Sequence, residues 1–72
     1  MKPLDYKLIY ALDTIIKQQS FDKAAELLHI TQSAISQRIK QLEQIVAQPV
    51  LIRSQPLKAT KIGQKLLIHF RQ

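Results

Sequence analysis

Apolar residues in this 72-residue chain recur at helical spacing in several stretches separated by short polar breaks. Leu8, Leu12, Ile15 and Ile16 form a core stripe on a helix predicted over roughly 5–18, with Ile9 on its flank. Asp5 is placed to cap that helix, and Leu4 with Ile9 to staple it. A short second helix is predicted over about 21–28. A third is predicted over about 32–47, where Ile35, Ile39, Leu42 and Val46 recur at i, i+4, i+7 and i+11. Pro49 ends helical geometry. Val50 to Arg53 and Leu57 to Ala59 read as two short strands around the turn Ser54-Gln55-Pro56. Thr60 then caps a last helix that carries Ile62, Leu66, Leu67 and Phe70.

The third helix has two chemically distinct sides. At about 100° per residue, Gln32, Ser33, Ser36, Gln37 and Lys40 sweep an arc opposite the apolar stripe. Amides, hydroxyls and an ammonium are the groups that bond to base edges and phosphates in a major groove. A helix-turn-helix presents such a face to DNA, its first helix bracing its second. Residues 20–42 fit that unit. Ser20 and Thr31 are N-caps, Ile30 and Ile35 form a staple around Thr31, and Ala24 and Ala25 are small where two helices cross. A short helical hairpin of any small all-α domain is the plainer alternative. Arg38 lies about 100° past Gln37, toward the edge of the buried stripe. Its expected partner is a phosphate, or an acid of the bracing helices.

A helix-turn-helix followed by a small hairpin is a winged helix-turn-helix: mainly α, with a three-helix core, a two-stranded wing and a C-terminal linker helix. In that fold the third helix enters the major groove while the wing reaches the flanking backbone or minor groove. Arg53, where the first strand meets its turn, and Lys58 on the returning strand are the wing cations. An arginine suits a narrow, A·T-rich minor groove, where the negative potential is strongest.

Charge sharpens the picture. The chain carries +6, and all five acids (Asp5, Asp13, Asp22, Glu26, Glu43) precede position 44. Arg53, Lys58, Lys61, Lys65 and Arg71 follow it with no acid among them, the footprint of a polyanion partner. A chain this short forms one domain and buries only about 60% of its unfolded surface. There is no cysteine, hence neither a disulfide framework nor a thiolate metal site. No apolar run approaches the roughly 20 residues of a membrane span, and MKPLDYKLIY lacks a signal-peptide layout, which points to the cytosol.

The stretch S-F-x-x-A-A-x-x-L-x-I-T-Q-S-A-I-S-Q-R-I-x-x-L-E, then P-V-L-I-R-S, then A-T-x-x-G, resembles the N-terminal DNA-binding domain of LysR-type transcriptional regulators across essentially the whole chain. Within the family, Ser36-Gln37-Arg38-Ile39-Lys40 and Gly63-Gln64-Lys65-Leu66-Leu67 resemble the ArgP/LysG branch. That branch implies regulation of arginine and lysine export or metabolism. The resemblance further implies that Gln32, Ser33, Ser36 and Gln37 read bases, that Thr31 and Lys40 hold phosphates, and that Arg53 is the wing arginine. Ile62, Leu66, Leu67 and Phe70 match the linker helix through which two such domains pair. It also implies a homodimer on double-stranded DNA, with a tetramer expected of a full-length regulator.

On this reading residues 1–59 are the DNA-binding domain and residues 60–72 begin the linker helix, cut before an effector-binding domain. No cofactor and no small-molecule ligand are expected of this part. Departures from the family pattern are Ala47 where glycine is usual after the third helix, Lys61 where an acid is common, and Gln37 in place of arginine. The last exchanges a guanine-preferring group for one that suits adenine.

Other residues suggest less. His29 and His69 lie forty residues apart without a carboxylate cluster, so no metal site is expected. Asp13 and Glu43 have no partner at catalytic spacing; Glu43, three residues past Lys40, reads as a helix-face charge pair. Gly63, the sole glycine, suggests a close helix approach. The rival classes are a non-catalytic protein-interaction module, and an RNA-binding domain. The latter would expose aromatics for base stacking, whereas Tyr6, Tyr10, Phe21 and Phe70 sit mostly at apolar helix positions.

Overall fold

A computed structural model describes residues 6–72. Helices α1 (Tyr6–Gln18), α2 (Phe21–Leu27) and α3 (Gln32–Val46) are followed by strands β1 (Leu51–Ile52) and β2 (Lys58–Ala59) and by helix α4 (Lys61–Phe70). The expected Asp5 cap and Leu4 staple lie outside the described residues. No helix among the described residues is long and apolar enough to cross a membrane.

Three hydroxyls set where helices begin. Ser20 Oγ accepts from the Lys23 amide at 3.1 Å, Thr31 Oγ1 from Ala34 at 3.0 Å and Thr60 Oγ1 from Gly63 at 3.2 Å. A cap of this kind contributes about 1 kcal/mol. Fully burying one large aliphatic side chain contributes about 1.5–3 kcal/mol. Leu12, Ile15, Ile35, Ile39, Leu42 and Val50 are all completely buried, so packing holds the helices and the caps fix their starting points. In α1 the buried face is wider than periodicity suggests. Ile9 is in the core, not on its flank, Ala11 is fully buried, and Ile16 is only partly covered.

Helix α4 corrects an expectation. Its stripe does not await a partner: Leu66 and Leu67 belong to the core, with Ile62 and Phe70 packed against it. Phe70 lies on the rings of Tyr10 and Tyr6, with centroids 5.9 and 6.1 Å away. These two tyrosines are more exposed than their apolar spacing implied, at 47% and 64%, because they cover Phe70 from outside. A polar lock reinforces the packing. The buried Asp13 carboxylate accepts from Arg71 Nε at 2.7 Å and pairs with Lys17 at 3.2 Å. A carboxylate taken out of water needs such partners, and Asp13 thereby joins α1 to the end of α4.

The wing is shorter than expected. Its strands pair antiparallel over two residues each, Leu51 opposite Ala59 and Ile52 opposite Lys58. Thr60 fastens its base: the amide donates to the Val50 carbonyl at 3.1 Å and the hydroxyl to the Pro49 carbonyl at 2.7 Å. Glu43 does not pair with Lys40 as expected. Its Oε2 accepts from the Val50 amide at 3.0 Å, because the chain folds back past the end of α3 and leaves that buried N–H in need of an acceptor.

Gly63 has the packing role its isolation suggested. A Cβ there would collide with the Val50 carbonyl oxygen and stand 3.2 Å from the Ala59 methyl. Ala47, which ends α3, is left-handed at φ 59°, ψ 30°, where an L side chain is strained by roughly 1–2 kcal/mol. The two sites predict opposite outcomes in urea unfolding. Gly63→Ala should destabilise by about 1–3 kcal/mol through overpacking. Ala47→Gly should stabilise by up to about 1 kcal/mol, since glycine relieves the strain but frees the unfolded chain.

Candidate nucleic-acid interface

Burial of Ile35, Ile39 and Leu42 fixes the rotation of α3 and so decides which residues look outward. Gln32, Ser33, Gln37 and Lys40 are exposed and Ser36 is half-buried on the same side, so the five expected contact residues share one open polar face. Thr31 is exposed at the head of this face. Its oxygen is engaged as the cap, but a hydroxyl also has one proton to donate, so capping and a phosphate contact are compatible. Arg38 is half-buried at the margin, and among the described residues it has no ion pair. The alternative of an acid on a bracing helix is therefore not realised, which leaves the guanidinium for an external anion.

The bracing is as the small residues suggested. Ala24 and Ala25 are buried between α2 and its neighbours, while Ile30, partly buried, and Ile35 pack into the core on either side of Thr31. His29 takes a left-handed conformation in the connection, at φ 58°.

The wing cations Arg53 and Lys58 are both exposed. Arg53 is not loose, however: its guanidinium lies over the Phe21 ring, 4.5 Å from the centroid. Such a contact contributes about 0.5–1 kcal/mol at an exposed site, enough to bias the arginine without trapping it. Arg71 leaves the basic patch, because Asp13 holds it. Lys61 and Lys65 remain exposed on α4.

Sequence reasoning missed Gln19. Following α1 with φ 55°, it sends its side-chain amide to the wing, donating to the Leu57 carbonyl at 2.9 Å and accepting from the Leu57 amide at 2.8 Å. The partner is 38 positions away, so no local pattern could have disclosed it.

A bracing helix, a polar outward face on the next helix and a basic hairpin beside it define a winged helix-turn-helix DNA-binding domain. Residues 6–64 match the model of the bacterial regulatory helix-turn-helix proteins of the lysR family, and the chain belongs to that family. Over all 72 residues it is 69% identical to the HTH-type transcriptional regulator ArgP of Aeromonas salmonicida, covering 24% of that protein. The chain thus spans about a quarter of the length of the curated relatives it matches. Among solved structures, ArgP from Mycobacterium tuberculosis superposes with a TM-score of 0.88 at 47% identity, over 97% of this chain and 27% of that one. Vibrio fischeri DarR in complex with DNA superposes with a TM-score of 0.86 at 32% identity, over 97% of this chain and 24% of that one.

Proposed function

We propose that this chain is the DNA-binding part of a bacterial transcriptional regulator that recognises double-stranded DNA sequence-specifically as a homodimer in the cytoplasm. The observation that carries this reading is the single open face of α3, where Gln32, Ser33, Ser36 and Gln37 stand together with Thr31, Arg38 and Lys40 at its margins. The four inner residues read base edges. Thr31, Arg38 and Lys40 hold phosphates, and Arg53 and Lys58 reach the flank. No chemistry on the DNA is part of this reading. A protein-interaction module is less well supported, because the open face is polar and the charge excess suits a polyanion.

The likeness to ArgP at 69% identity supports a regulator of arginine and lysine export or metabolism. Residues 1–59 bind DNA, and residues 60–72 begin the helix through which copies pair. With Leu66 and Leu67 committed to the core, pairing falls to the outer side of α4, where Ile68 is 63% exposed.

Two measurements test this. Duplexes selected from a random pool should bind with an affinity that falls steeply with salt. If a domain neutralises about four phosphates and a dimer about eight, the slope of log K on log salt is about −7. Gln37→Ala should relax preference at one or two base positions, costing about 1–3 kcal/mol, and leave the slope nearly unchanged. Full retention of preference would remove Gln37 from the base readers. For assembly, Leu66→Asp would break the core and is uninformative. Ile68→Asp should fold normally yet lose cooperative binding to a palindromic duplex, as read by sedimentation and titration. Unchanged cooperativity would exclude the outer face of α4.

A further inference from the structure

Burial anchors only the base of the wing, where Val50 and Leu51 lie in the core and Leu57 and Ala59 pack against it. Its ladder is two residues long on each side, and Arg53 to Pro56 are all exposed. An isolated two-stranded hairpin of this size is at best marginally stable. Beyond that base a second, polar anchor comes from the corner between α1 and α2. Gln19 Nε2 donates to the Leu57 carbonyl at 2.9 Å while Gln19 Oε1 accepts from the Leu57 amide at 2.8 Å. The side-chain amide thus imitates one rung of a third strand beside β2. The same Nε2 donates to the Ile16 carbonyl at 3.0 Å, which fixes the orientation of the amide plane.

Two residues on, Phe21 holds Arg53 from the other strand's end. Gln19 does this from a left-handed backbone at φ 55°, a conformation that strains an L residue and that glycine takes freely. Ending α1 needs only the backbone bond from the Gln19 amide to the Ile15 carbonyl at 2.7 Å, which glycine would keep. The two bonds to Leu57 contribute nothing to that cap.

We propose that the α1–α2 corner is the seat of the wing and that Gln19 is a positioning residue for DNA recognition: by bridging both backbone groups of Leu57 it sets where Arg53 and Lys58 meet the duplex flanking α3. The proposal rests on the DNA reading above. Gln19 touches no nucleic acid itself; it acts through the height and angle of β2 and, with Phe21, through the resting place of the arginine.

Gln19→Gly gives a clean test, because glycine suits the left-handed backbone and only the amide is lost. In the free chain, hydrogen exchange at the Leu57 amide should speed up by roughly fivefold, the net worth of about one hydrogen bond. The binding probe is a duplex that the parent chain selects from a random pool, remade with A·T-rich and G·C-rich flanks. The parent should prefer A·T-rich flanks and lose that preference on Arg53→Ala. Gln19→Gly should erase most of the flank preference while keeping the base preference under α3. In its background Arg53→Ala should cost less than in the parent, the non-additivity of coupled sites.

Gln19→Glu, which keeps the acceptor for the Leu57 amide and loses the donor, should fall between. A parent that selects no duplex would overturn the DNA reading and the positioning role with it. A parent that binds while Gln19→Gly keeps the full flank preference, with Arg53→Ala strictly additive, would overturn the positioning role alone. A global loss of stability without change in flank preference would reduce Gln19 to a helix cap.

Discussion

The arrangement depends on one constraint, the rotational setting of α3. That helix has a single apolar stripe, and Ile35, Ile39 and Leu42 are each at most 1% exposed. Turning α3 by one residue would expose a large aliphatic side chain at a cost of about 1.5–3 kcal/mol and drive an amide or hydroxyl into the core. The polar face is open because the opposite face cannot be. Recognition chemistry and core packing are two consequences of the same periodicity, and a substitution in the stripe would misdirect the readers without touching them.

Around that helix, apolar packing and polar clamps divide the labour. Helix α1 packs against α2, α3 and α4, and α2 against α3, by burying aliphatic side chains. In the short wing, burial of Val50 and Leu51 is supplemented by hydrogen bonds: Thr60 to Pro49 and Val50, Glu43 to the Val50 amide, and Gln19 to Leu57. Each is worth about 1 kcal/mol net. These bonds hold Arg53 and Lys58 in a defined place beside α3.

Helix α4 shows how a small domain spends its apolar surface. Its stripe faces inward, locked by Gly63 against the Val50 carbonyl and by Asp13 against Arg71. What points outward is Ile68 among Lys61, Gln64, Lys65 and His69. A helix that serves both core and assembly in this way couples its own seating to the geometry of any partner that packs on its outer side. The Asp13–Arg71 pair ties the C-terminal end of α4 to α1.

The helix boundaries, the caps of α2, α3 and α4, the α3 face and the wing's place in the chain were legible in the amino-acid sequence, because each is written in local spacing. Caps act over three residues, stripes over three or four, turns over two. Three things were decided only by tertiary structure. Periodicity says that a face of α4 is apolar, but whether it meets α1 or a second copy depends on the space left after α1, α2 and α3 have packed. Glu43 was read as Lys40's partner from helical spacing, yet a buried amide seven residues on made the stronger demand. The clamp from Gln19 to Leu57 joins residues 38 positions apart, and a side-chain amide carries no sequence signal of which backbone it will meet until the fold has brought the two together.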